Sequence, residues 1–124
     1  MITIYHNPRC SKSRETLALV QQVSSEQNLP LEVVDYQKSA LNIAQLQHLQ
    51  QQLGGSLSAM LRENEDEYAS LSLGQADDET LLAALAAHPK LLQRPIVSYL
   101  GKAAIGRPPE LVLSLFTNTT KASA

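Results

Sequence analysis

The sequence predicts an α/β domain: a four-stranded mixed sheet flanked by helices, with a helical insert between a βαβ half and a ββα half. Three observations predict it. The first thirty-five residues read strand, helix, strand; the middle carries helical patterning; and two short apolar runs separated by a glycine stand near the end. Two parallel strands need a crossover, and a strand–helix–strand run of this length supplies one.

Taking the elements in order, Ile2-Thr3-Ile4-Tyr5 is a short apolar run and reads as the first strand. A helix is expected from Ser13 to about Val23, with Leu17, Val20 and Val23 on one face. The polar stretch Ser24 to Asn28, followed by Leu29-Pro30, ends it, and Leu31 to Tyr36 is β-branched enough for a second strand. Asn42 caps a middle helix that turns Ile43, Leu46, Leu49 and Leu53 inward and stops at Gly54-Gly55. Ser56 opens a second short helix through Leu57, Met60 and Leu61, which carries Arg62 and leads to an acidic loop from Glu63 to Glu67. Asp77 or Asp78 caps a third, with Leu81, Leu82 and Leu85 inward, broken at Pro89. Ile96 to Leu100 and Lys102 to Ile105 form a hairpin, with Gly101 expected at the first central position of a II′ turn. Pro108 opens a last helix with Leu111, Val112, Leu115 and Phe116 on its apolar face. This order is a thioredoxin-like plan. It predicts one domain over residues 1–116, an insert at about 40–90, and a flexible tail at 117–124.

Composition narrows the function classes. A chain of 124 residues with 44% apolar content can bury a modest core without disulfides or a metal. The net charge of −2 gives no general attraction to nucleic acid or to an anionic membrane. One cysteine forms no internal disulfide. The apolar run at the N-terminus stops too soon for a signal peptide, and no stretch approaches the roughly 20 apolar residues of a membrane span. A cytoplasmic protein is the expectation. Three scattered histidines, His6, His48 and His88, show no metal-ligand spacing with Cys10.

The chemistry concentrates in Tyr5-His6-Asn7-Pro8-Arg9-Cys10-Ser11-Lys12-Ser13-Arg14. It places Cys10 just beyond a strand and at the first turn of a helix, where free N–H groups and the helix dipole favour an anion. Arg9, Lys12 and Arg14 are costly to bury, so the loop is expected at the surface and the thiol to ionise readily. A lone cysteine is otherwise most often a buried structural residue. Ser13 stands where dithiol redox proteins carry a second cysteine. It reads equally as a donor to the thiolate and as an ordinary first-turn serine, and in either case any redox cycle must borrow an outside thiol. His6 either tunes Cys10 or only finishes the strand. Arg62, Arg94 and Arg107 each read alone as surface arginines; together they could grip a tetrahedral oxyanion.

The ordered set of Cys10, Leu61-Arg62-Glu63-Asn64, His88-Pro89, Arg94-Pro95-Ile96-Val97 and Gly106-Arg107-Pro108 resembles the glutaredoxin-type arsenate reductases of bacteria. The resemblance implies a thioredoxin-like fold with Cys10 as nucleophile and Arg62, Arg94 and Arg107 as the oxyanion pocket. It also implies a cis peptide bond before Pro95, a His6 that helps to lower the Cys10 pKa, and a Ser13 close to the sulfur. The implied reaction is reduction of arsenate to arsenite through a covalent Cys10–arsenic intermediate, with no bound cofactor, glutathione as co-substrate and glutaredoxin as partner. Two alternatives remain. One is an Spx-like regulator contacting RNA polymerase, against which Cys10-Ser11-Lys12-Ser13 argues because those regulators commonly carry Cys-x-x-Cys. The other is a glutathione-dependent thiol reductase with a different substrate.

Overall fold

In the computed structural model, which describes residues 1–116, strand β1 (Ile2–His6) lies at the centre of a four-stranded sheet. The tail expected at 117–124 lies outside the described residues. β1 pairs in parallel with β2 (Leu31–Asp35) and antiparallel with β3 (Ile96–Tyr99), which pairs antiparallel with β4 (Lys102–Ile105). The sheet order is therefore β2-β1-β3-β4, the predicted mixed sheet. The parallel register sets Ile2 beside Leu31 and His6 beside Asp35.

Alternation decides which side chains reach the core. Ile2 and Ile4 are fully buried, while Thr3 and Tyr5 on the other face are half-buried. With Val97 and Tyr99 they join Val20 and Val23 of α1 (Ser11–Gln27), and Val112, Leu115 and Phe116, in one core cluster. Tyr99 and Phe116 stack with ring centroids 5.1 Å apart. All four residues of β3 are buried.

Helix α1 runs four residues further than its apolar pattern predicts. The polar residues Ser24 to Gln27 stay helical, and the stop comes at Asn28, in the left-handed region at φ 53°. Asparagine tolerates that conformation, and its N–H closes the last turn on the Ser24 carbonyl.

The described residues divide into two compact units: Met1–Asp35 with 94–116, and Tyr36–Gln93. In the second unit α2 (Ile43–Leu53) starts with a full capping box. The Asn42 side chain accepts from the Gln45 N–H at 2.8 Å, and the Gln45 side chain accepts from the Asn42 N–H at 2.9 Å. The second expected middle helix is instead a single 3-10 turn, Leu57–Met60, and Arg62 lies beyond it. Leu61 leaves the turn to bridge Leu92, flanked by bonds from Arg62 N–H to the Leu91 carbonyl and Gln93 N–H to the Met60 carbonyl, both 2.7 Å. Part of the expected acidic loop is helical: α3 (Asp66–Ser70) carries Asp66 and Glu67 in its first turn, where carboxylates favour a helix start. A further 3-10 turn, Leu73–Gln75, follows it. α4 (Asp78–Ala87) is capped by Asp77, whose carboxylate accepts from the Thr80 N–H at 2.9 Å. A 3-10 turn, Pro89–Leu91, follows α4.

Two details near the end differ from expectation. The hairpin loop is Leu100-Gly101, with φ 51° and 80°, so both central residues are left-handed as a I′ turn requires. After Gly106 the last helix opens as a 3-10 turn, Pro109–Leu113, and becomes α-helical only at 114–116. Among the described residues no helix is long and apolar enough to cross a membrane.

Candidate active site

The loop between β1 and α1 is shaped by Asn7, which is buried. Its side-chain oxygen accepts from the Arg9 N–H at 3.0 Å, and its carbonyl accepts from the Cys10 N–H at 3.0 Å. Its own N–H donates to the Ser13 hydroxyl, again at 3.0 Å. Arg14 adds a bond from Nη1 to the Pro8 carbonyl. One buried asparagine thus clamps the loop to the first turn of α1.

Cys10 is the N-cap residue of α1, with extended backbone at φ −97° and ψ 127°. Its side chain makes no capping hydrogen bond of ordinary geometry. The N–H groups that a capping oxygen would accept from, those of the second and third helical residues, act on the sulfur instead. Burial alone would push the thiol up. The N–H of Ser13, a hydrogen bond from the Arg94 side chain, the N–H of Lys12 and the positive charge of Arg94 outweigh it and bring Cys10 down to about 7. At neutral pH a large fraction is thiolate. No acidic residue sits in the first turn of α1, so nothing there repels an incoming anion.

Ser13 meets the sulfur through its backbone, while its hydroxyl serves Asn7. His6 is buried at the end of β1, and burial lowers its pKa, with Asp35 pulling the other way. Its Nδ1 is buried without a hydrogen-bond partner, and its burial favours the neutral ring. His6 is not among the groups that shift Cys10.

Arg94 and Pro95 are joined by a cis peptide bond, as are Arg107 and Pro108. The two segments extend the β3–β4 ladder beyond the Ile96–Ile105 pair. Gly106 N–H donates to the Pro95 carbonyl at 2.9 Å, and Arg107 Nη1 donates to the Arg94 carbonyl at 3.0 Å. Cys10, Ser13, Arg94, Pro95 and Arg107 are thereby brought together in the first unit. Arg62 belongs to the second unit, where its Nε lies 3.7 Å from the Glu65 carboxylate. Among the described residues no group of three or more His, Cys, Asp or Glu side chains forms a metal site.

Sequence reasoning missed Asn7 and Thr16. Asn7 follows the strand and precedes a proline, the common place for an asparagine that bonds its own turn. Thr16 lies six residues after Cys10, fully buried at 0% exposure although it is polar, and periodicity gave it no mark.

The sequence model of the ArsC family matches residues 5–115. The uncharacterized protein YfgD of Escherichia coli strain K12 is 45% identical over 92% of this chain and 95% of its own. An arsenate reductase of Neisseria meningitidis serogroup A is 44% identical over 88% of this chain and 92% of its own. The solved arsenate reductase from Vibrio cholerae is 47% identical and superposes with a TM-score of 0.85, covering 92% of this chain and 96% of that one. With the family pattern matched across nearly its whole length, the chain belongs to the ArsC family and has its thioredoxin-like fold.

Proposed function

We propose that this protein reduces arsenate to arsenite, with Cys10 as nucleophile and glutathione and glutaredoxin as electron donors. The observation that carries the reading is the thiol at the helix N-terminus, brought to about 7 by Ser13 N–H and Arg94, in a chain with no second cysteine. The ionised sulfur attacks arsenic(V), an S–As bond forms, and an oxygen leaves as water after taking up a proton. Arg94 and Arg107 hold the remaining oxygens.

Ser13 cannot resolve the adduct, so outside thiols complete the cycle. Glutathione displaces a second oxygen as water. The glutaredoxin thiolate then attacks the glutathione sulfur, and the As–S electron pair falls back to arsenic, which becomes arsenic(III). Two thiols are oxidised to one mixed disulfide, balancing the two electrons. Hydrolysis of the Cys10–arsenic(III) bond frees arsenite and the thiol. The need for reduced glutathione assigns the protein to the cytoplasm.

The test is arsenate-dependent NADPH oxidation with glutathione, glutaredoxin and glutathione reductase. Turnover that vanishes in Cys10→Ser is the expected result. Absence of turnover at millimolar arsenate rejects the assignment. Turnover on a glutathione mixed disulfide but not on arsenate would instead identify a thiol reductase.

A further inference from the structure

Gly106 is buried, and Thr16 and Pro95 both crowd the place where a side chain would start. A Cβ placed on it would stand 2.6 Å from Thr16 Oγ1, 3.0 Å from Thr16 Cγ2 and 3.0 Å from Pro95 Cγ. Its φ is not left-handed, so the requirement for glycine is one of space. The position therefore joins three parts of the site: helix α1, which begins at the thiol; Pro95, next in chain to Arg94; and Arg107, which holds the Arg94 carbonyl. Thr16 Oγ1 is fully buried and has no hydrogen-bond partner, so its contribution is shape.

We infer that Gly106 and Thr16 are positioning residues: their close contact seats Pro95 against α1 and so holds the Arg94 guanidinium at hydrogen-bonding distance from the Cys10 sulfur. The contact acts as a spacer between the helix that carries the nucleophile and the segment that carries its cationic partner. A Cβ at residue 106 meets Thr16 of the helix and Pro95 of the Arg94 segment at once, so one or both must give way. Arg94 moves with Pro95, and the thiolate loses one of the groups that stabilise it. Nothing in this depends on which oxyanion or disulfide the site takes.

The experiment is the pH profile of Cys10 alkylation by iodoacetamide, read with circular dichroism and thermal melting. Gly106→Ala is expected to raise the apparent Cys10 pKa by about half a unit or more while the fold is retained. Thr16→Ala added to Gly106→Ala removes both threonine atoms that the new Cβ meets, and is expected to recover most of that shift. Thr16→Val, which keeps the shape and loses only the hydroxyl, is expected to leave the profile unchanged. Should Gly106→Ala fail to fold, Thr16→Ile enlarges the same contact from the helix side and is expected to raise the pKa in the same direction. A wild-type profile in folded Gly106→Ala, or in Thr16→Ile where that variant stands in, overturns the inference. So does a shift that Thr16→Ala fails to relieve. A shift in Thr16→Val would mean that the hydroxyl, rather than the spacing, is what matters, and that too overturns it.

Discussion

Arg107 donates a hydrogen bond from Nη1 to the carbonyl oxygen of Arg94 at 3.0 Å, so one arginine of the candidate site holds the backbone of another. The remaining N–H groups of its guanidinium are free to point elsewhere, which a lysine in the same place could not reproduce. Arg107→Ala should lower the affinity for arsenate roughly tenfold or more, from loss of a charge-assisted contact together with a looser Arg94. Arg107→Lys should recover only part of it. Since Arg107 is exposed, urea denaturation should change by no more than about 0.5 kcal/mol. Arsenate protection of Cys10 against alkylation, measured across a concentration series, gives the affinities.

Ser13 supplies a separation of roles. Its hydroxyl accepts from the buried Asn7 N–H, whereas its backbone N–H stabilises the sulfur. Ser13→Ala strands the Asn7 N–H and should cost about 1–3 kcal/mol in urea denaturation. The Cys10 alkylation profile should nevertheless stay near the wild-type one, because the backbone donor remains. A large pKa rise with unchanged stability would reverse the two roles.

Stability should depend on pH through Cys10 and His6, both with folded pKa values below their unfolded ones. In each case the unfolded state binds more protons between the two values, so stability rises with pH there. The Cys10 contribution is complete above the unfolded value of about 8.5 and is lost as pH falls through about 7. The His6 contribution is complete above about 6.5 and is lost at more acid pH. Melting temperatures of wild type, Cys10→Ser and His6→Gln from pH 5 to 9 check this. Cys10→Ser should flatten the alkaline limb and His6→Gln the acid limb.

The hairpin turn holds Leu100 at φ 51°, in a conformation that costs an ordinary side chain roughly 1–2 kcal/mol. Leu100 is 71% exposed, so little packing is lost on replacing it. Leu100→Asn or Leu100→Gly should therefore raise stability by about 0.5–1 kcal/mol in urea denaturation, with no effect on Cys10. A loss of stability would show that the leucine makes a contact worth more than its backbone strain.

These residues also show where a sequence can be read and where it cannot. The sheet, α2 and α4 were legible because alternation, caps and stop signals are local: Asn42 and Asp77 both cap the helices their positions predict. The place of Cys10 at a helix start was legible for the same reason, since the strand and helix signals on either side of it are local. The I′ turn was not, because a leucine in the left-handed region contradicts its own preference and is held there by the pairing of Tyr99 with Lys102. Arg62 was assigned to a helix because the Leu57–Leu61 pattern looks helical, but the chain straightens to bridge Leu92, thirty-one residues on. The contact between Gly106 and Thr16 was not legible, because a close approach between distant residues exists only once the chain is folded.

The most direct measurement is the pH dependence of Cys10 alkylation in wild type and Arg94→Ala, each with and without arsenate. The account predicts a wild-type pKa near 7, a rise of about one unit without the guanidinium, and arsenate protection in wild type that Arg94→Ala weakens. A wild-type thiol titrating at about 8.5 and indifferent to arsenate would contradict it.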